Sequence, residues 1–143
     1  VTPDQCIPEE LGKANIVREG TDATIITYGM GVQWAQEMAT AYQDQGTEIE
    51  IVDLRCLVPL DIETVKESVA KTNKVLLLQE PSTTLGPMSE LSSLITEKCF
   101  EELDAPVMRC SSLDMPVPFS PKLEKHYLAD NRLKETLEKL LAY

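Results

Sequence analysis

Ile49-Glu50-Ile51-Val52-Asp53-Leu54-Arg55-Cys56-Leu57-Val58-Pro59-Leu60-Asp61 packs a strand, a crossover and the start of a helix into one short stretch. Ile49, Ile51, Val52 and Leu54 form the nearly continuous, largely β-branched run of a strand covered on both faces. Asp53 and Arg55 fall at its carboxyl end. Pro59 turns the chain out of the strand, and Asp61 stands where its carboxylate can accept the orphan amides of a helix beginning at Ile62. Glu63 follows, favourably placed near the positive end of the helix dipole. The stretch therefore reads as one βα unit.

The same punctuation continues on both sides of it. Residues 1–15, with Pro3, Pro8, Asp4, Glu9, Glu10 and then Gly12-Lys13, read as an extended lead-in whose order depends on docking, and residues 16–143 as one domain. Ile16 and Val17 suggest a short edge strand, and Gly20-Thr21-Asp22 a turn. Ala23–Tyr28 is a β-branched strand, broken by Gly29-Met30-Gly31. From Val32, apolar residues recur at Ala35, Met38, Ala39 and Tyr42, the spacing of an amphipathic helix ending near Gly46. Beyond the opening stretch, Ile62, Val65 and Val69 give the next helix its buried face. Val75-Leu76-Leu77-Leu78 is wholly apolar and reads as a central strand.

Gln79–Pro87 reads as a loop from its Pro, Ser, Thr and Gly content. A helix from about Met88 then presents Leu91, Leu94, Ile95 and Cys99 inward. Pro106–Cys110 gives a further strand with proline at its first position. The prolines at 116, 118 and 121 argue against regular structure over Met115–Pro121, and Leu133, Leu137, Leu140 and Leu141 stripe a final helix. Strands alternating with helices through short connections predict an α/β fold, a three-layer α/β/α sandwich on a mostly parallel sheet of about five strands.

Composition bounds the function. The chain has 143 residues and 43% hydrophobic content, enough for one core and crowded for two. It carries 13 basic against 24 acidic residues, a net charge of -11, which disfavours nucleic acid as a partner and leaves either a solvated acidic surface or one that steers a basic partner. No run of about 18 apolar residues is present to span a membrane. Cys6, Cys56, Cys99 and Cys110 form no C-x-x-C pair and His126 is the sole histidine, so zinc and thioredoxin-like sites lack their ligands. Reduced thiols in a cytoplasmic or matrix-like compartment are expected. A start at Val1, with no basic head or apolar signal core, reads as a piece of a longer polypeptide.

Chemistry-bearing patterns are sparse. Gly29-Met30-Gly31 sits between strand and helix, as a dinucleotide-binding turn would, but Trp34 occupies the place of the third glycine. No Walker motif and no G-x-S-x-G occurs. Asp53, Asp61 and Glu80 lie near strand ends or helix starts, where open α/β sheets place ligands. Capping accounts for Asp61, and an internal ion pair or loop hydrogen bonds for Asp53 with Arg55. The segment from Gln79 to Glu90 is the most plausible functional surface, since it leaves a central strand and feeds a helix amino terminus.

Asp53-Leu54-Arg55 with Leu57, Pro59, Leu60 and Asp61 resembles the corresponding segment of the carboxyl-terminal domain of the β subunit of thiamine-diphosphate-dependent 2-oxo acid dehydrogenases, within the transketolase group. Gly12-Lys13-Ala14 with Val17–Asp22 is similar to that family's lead-in, and Thr27-Tyr28-Gly29 to the end of its first core strand. Asp104–Val107, Pro116–Phe119 and Leu123-Glu124 are similar to its last strand and docking loop. Relatives commonly read His-Glu-x-Pro, a glycine-rich turn and a Glu on the next helix. Glu80, Gly86 and Glu90 match that pattern, while Gln79 replaces the His and Pro87 a small or aromatic residue, which puts a histidine-dependent proton transfer there in doubt.

The resemblance implies a transketolase carboxyl-terminal fold and an assembly role. Gln79, Glu80, Gly86, Glu90, Asp53 and Arg55 are then candidate interface or loop residues rather than catalytic ones. The implied partners are a pyrimidine-binding domain of the same chain, an α subunit or α region, a symmetry-related β copy and the subunit-binding domain of an acyltransferase. In such enzymes thiamine diphosphate and Mg²⁺ are held by a Gly-Asp-Gly motif on other domains. This chain contains no Gly-Asp-Gly, so no cofactor is expected in this domain. Two other readings share the fold: a flavodoxin-like small-molecule or nucleotide module with its ligand near Gly29, Asp53 and Glu80, and a transketolase or 1-deoxyxylulose-phosphate synthase.

Overall fold

The computed structural model describes residues 10–143. The part of the expected lead-in at residues 1–9, Cys6 included, lies outside the described residues. Five strands form one sheet: β1 (Asn15–Arg18), β2 (Ala23–Thr27), β3 (Ile49–Asp53), β4 (Val75–Ser82) and β5 (Met108–Ser112), in spatial order β1-β3-β2-β4-β5. β2 pairs with β3 and β4, and β4 with β5, all in parallel, while β1 runs antiparallel along β3 at one edge.

Helices α1 (Met30–Gln43) and α5 (Asp130–Leu141) cover one face, and α2 (Ile62–Thr72) and α3 (Pro87–Lys98) the other. The first face joins Ile25, Ile51, Leu76 and Leu78 to Ala35, Ala39, Leu133, Leu137 and Leu140. The second joins Ile26, Val52, Val75 and Leu77 to Val65, Val69, Met88, Leu91 and Ile95. Successive strand residues thus feed opposite cores, which is why β4 opens on an unbroken apolar run and β2 and β3 are apolar on both faces, interrupted by polar residues that include the buried Thr24 and Glu50. The three-layer α/β/α sandwich read from the sequence is the fold observed.

Asp61 caps α2: its carboxylate accepts from the Thr64 amide at 3.3 Å and the Thr64 hydroxyl at 2.9 Å. It also accepts from the Ala14 amide at 3.1 Å, so the lead-in is fastened to the same crossover. Asn73 ends α2 in the left-handed conformation at φ 60°, a role that Asn fills after glycine. Several boundaries differ from the sequence reading. β4 runs on through Gln79, Glu80, Pro81 and Ser82, where a loop was expected, because Ser82 pairs with Ser112 beyond a break in register. β5 starts at Met108 rather than Pro106 and reaches Ser112. A short helix α4 (Pro121–Tyr127) opens inside the proline-rich stretch, with Pro121 in its first turn, where a missing amide hydrogen costs nothing.

Candidate functional site

The connection pattern places one crevice in the sheet. From β2 the chain crosses to β3 on one side, and β4 then lies on the other side of β2. At such a reversal the loops leaving neighbouring strands diverge and open a cleft beyond the carboxyl ends. A cavity of about 420 Å³ lies there, lined by Tyr28, Gly29 and Met30 after β2, Glu80 and Pro81 on β4, and Val117, Glu124, Tyr127 and Leu128 from the β5–α4 region. Burial, with the Glu80 carboxylate nearby, pushes the Tyr28 phenol above its ordinary pKa.

Around this crevice the loops leaving β2, β3, β4 and β5 expose large apolar side chains. Val58 is 88% exposed, Leu85 96% and Phe119 fully, with Met30, Leu57, Leu113, Met115, Val117 and Leu123 also open to solvent. Scattered exposed apolar residues are ordinary on a monomer, whereas these are concentrated on the loops at one end of the sheet. Arg55 (φ 54°) and Leu85 (φ 59°) in these loops are non-glycine residues in the left-handed region, a conformation that costs free energy and clusters where a surface is shaped for function.

The six residues singled out from the sequence separate into distinct roles. Gln79 is buried, 1% exposed. Its Nε2 donates to the Ser82 carbonyl at 2.7 Å and its Oε1 accepts from the Met88 amide at 3.1 Å. Gly86 lies against the Gln79 carboxamide, and a β-carbon there would collide with it. Glu80 is exposed and faces the crevice. Glu90 is exposed on the first turn of α3, at the lip of a second cavity of about 290 Å³ walled by Leu54, Leu57, Val58, Leu60, Met88 and Leu91. Asp53 accepts from the Arg55 amide at 3.1 Å, an Asx-type turn that ends β3. The fold therefore joins Gln79 to Gly86 and sets Glu80, Glu90 and the Asp53–Arg55 turn around different hollows.

Asp114 was not singled out in the sequence, yet it ties two of the rim loops together. Its carboxylate accepts from the Thr84 amide at 2.9 Å and the Thr84 hydroxyl at 2.7 Å, and these bonds hold its pKa below the ordinary carboxylate value. The available signal for the rim itself was Leu57-Val58 and the Met115–Phe119 run, apolar residues that no helix or strand period can bury.

A family model described as the transketolase C-terminal domain matches residues 12–132. The chain belongs to the transketolase C-terminal domain family. It is 40% identical over 121 residues to the 2-oxoisovalerate dehydrogenase subunit beta of Bacillus subtilis (strain 168), covering 84% of this chain and 37% of that protein. It is 34% identical over 142 residues to the pyruvate dehydrogenase E1 component subunit beta of Rickettsia felis, covering 99% of this chain and 44% of the relative. A solved split-gene transketolase in an inactive beta4 tetramer superposes with a TM-score of 0.81 at 27% identity, over 99% of this chain and 45% of that one. The chain thus spans less than half the length of these relatives.

Among the described residues no three acidic, histidine or cysteine side chains converge on one point, and the polar atoms of Gln79 are spent within the fold. No catalytic step is assigned to these residues. Among the described residues no helix is long and apolar enough to cross a membrane.

Proposed function

We propose that this chain is the assembly and docking domain of the β part of a thiamine-diphosphate-dependent 2-oxo acid dehydrogenase. The whole enzyme would oxidatively decarboxylate a branched-chain 2-oxo acid or pyruvate and pass the acyl group to lipoamide, in the cytoplasm or, in a eukaryote, the mitochondrial matrix. Thiamine diphosphate and Mg²⁺ belong to other domains of it. The observation that carries this reading is the apolar rim at the strand carboxyl ends, a surface suited to burial against a pyrimidine-binding domain, an α subunit and a second β copy. The relatives named above support the enzyme class.

The opposite end of the sheet suits a different partner. Phe100 and Tyr143, 72% and 66% exposed, flank a cleft of about 800 Å³ that Glu101 and Asp104 also line. Aromatic anchors beside carboxylates suit a basic subunit-binding domain of an acyltransferase, whose attraction would weaken with salt.

Calorimetric titration of the chain with Mg²⁺ and thiamine diphosphate tests the division of labour. No binding heat is expected, and micromolar affinity overturns the reading. A second reading, a small-molecule or nucleotide module, draws on the crevice between Gly29 and Glu80; a thermal-shift screen of nucleotides and flavins would raise the midpoint if it held.

A further inference from the structure

A third hollow, of about 310 Å³, lies beside β5, which is an edge strand. Arg109, Arg132, Thr83, Ser111, Ser112 and Thr136 line it, together with Asp114. Among the described residues neither guanidinium enters an ion pair. Both are nevertheless held in place. Arg109 Nη1 donates to Ser89 Oγ at 2.7 Å. Arg132 Nη2 donates to the carbonyls of Ser111, Tyr127 and Leu128, each at 2.9 Å, and Nη1 to that of His126 at 3.3 Å. These neutral acceptors fix the Arg132 side chain without cancelling its charge.

The only carboxylate in the lining, Asp114, is occupied by Thr84. Two fixed cations therefore face a small hollow with one committed anion, in a chain whose net charge is -11. Ser111 and Ser112, 6% and 1% exposed, carry Oγ atoms that are buried and have no hydrogen-bond partner. Buried hydroxyls are seldom left unpaired, so orphaned ones in the wall of a hollow mark a missing partner.

We propose that this hollow binds the phosphate group of a small phosphate ester. Guanidinium groups match phosphate oxygens in charge and in fork geometry. Successive residues of β5 point to opposite faces, so Ser111, on the same face as Arg109, is the hydroxyl that can join the guanidinium donors around a tetrahedral phosphate. The volume leaves room for a short organic group beyond the phosphate. The hollow shares no lining residue with the crevice, although Leu113 and Asp114 in its wall also belong to the rim, so the proposal rests on the hollow's own lining and not on the docking role.

The test is a titration of the chain with inorganic phosphate, glycerol phosphate and acetate at constant ionic strength, followed by amide chemical shifts. Saturable shifts confined to Thr83, Arg109–Asp114 and Arg132–Thr136 are expected with both phosphates, the ester binding at least as tightly. Arg109→Gln should weaken binding roughly tenfold, the loss of a charged hydrogen-bonding group. Should Arg109→Gln fail to fold, Arg109→Lys keeps the charge and loses the fork, and should weaken binding measurably. Shifts that do not saturate, that spread over the surface or that survive both substitutions overturn the proposal. Acetate binding as tightly as phosphate, or exclusion of the ester, does so as well.

Discussion

Gln79 Oε1 accepts from the Met88 amide at 3.1 Å, so a buried side chain within β4 supplies the hydrogen bond that opens α3. The helix has no side-chain cap of its own, since its N-cap position is Gly86. Gln79 is therefore a strut between strand, loop and helix, with both polar ends in use and no proton to give up.

That strut predicts coupling between Gln79 and Gly86. Gln79→Leu leaves the Met88 amide and the Ser82 carbonyl without partners and should cost about 2–4 kcal/mol, roughly one buried unpaired group at each end. Gly86→Ala drives a methyl into the Gln79 amide although its φ of -73° suits any residue, so its cost is steric alone. In the pair Gln79→Ala with Gly86→Ala the methyl has room. Urea denaturation of the singles and the double should give a double-variant loss smaller than the sum, and simple additivity would show the two do not share the space.

Asp61 predicts an acid-sensitive link between the lead-in and α2. Burial raises its pKa, but the hydrogen bonds from Thr64 and Ala14 prevail and leave it below the ordinary carboxylate value. A depressed folded pKa means stability that is present above about pH 4 and lost as the pH falls through the folded value. Asp61→Ala should therefore cost about 1–2 kcal/mol at neutral pH, as a lost cap does. The gap to wild type should close as the pH falls through the lowered folded value, below the ordinary carboxylate range. A gap that persists unchanged in acid would mean that the carboxylate is not what holds these segments.

Most of this architecture was legible because its causes are local. Asp61 ahead of Ile62, the β-branched runs at Ala23 and Ile49 and the leucine stripe of the last helix each name an element without reference to any other. The errors came where distant residues decide. Gln79–Ser82 is polar and carries Pro81, yet it remains strand because Ser82 finds Ser112 across a register break. Pro121 reads as a breaker but stands in the first turn of α4, where the ring is tolerated. The bond from Asp114 to Thr84 spans 30 residues of sequence and has no local signature. The candidate residues fall around the carboxyl ends of the strands, but which of them touch depends on packing that neither periodicity nor spacing encodes.

The cysteines should differ sharply in reactivity. Burial pushes the Cys110 thiol up to about 11, and its Sγ donates to the Ala129 carbonyl at 3.4 Å. Cys99 is buried and raised as well, whereas Cys56 is half-buried in the crossover. Since the thiolate is the nucleophile, alkylation at pH 8 followed by peptide mass analysis should modify Cys56 well before Cys99 or Cys110. Labelling of Cys110 at a rate comparable with Cys56, without denaturant, would contradict the packing of α5 on β5.

Lys71 and Glu50 should dominate the stability of the edge where β1 joins the sheet. Glu50 is fully buried in β3 and its carboxylate contacts the Lys71 ammonium, which also reaches Glu19 at 2.6 Å. Lys71→Met would leave a buried carboxylate uncompensated. Breaking a buried pair in this way costs about 3–5 kcal/mol, and the lower end applies because a third of Lys71 stays in water. Adding Glu50→Gln should recover much of the loss, since the uncompensated charge is gone. Burial lowers the Lys71 pKa, but Glu19 and Glu50 outweigh it and hold it above the ordinary lysine value. A raised folded pKa contributes stability that is fully present below about pH 10 and lost as the pH climbs through the folded value. The gap between wild type and Lys71→Met, measured by urea unfolding, should thus narrow as the pH climbs above the ordinary lysine value. A gap that stays unchanged in strong base would mean that Lys71 is not the charge that lets Glu50 stay buried.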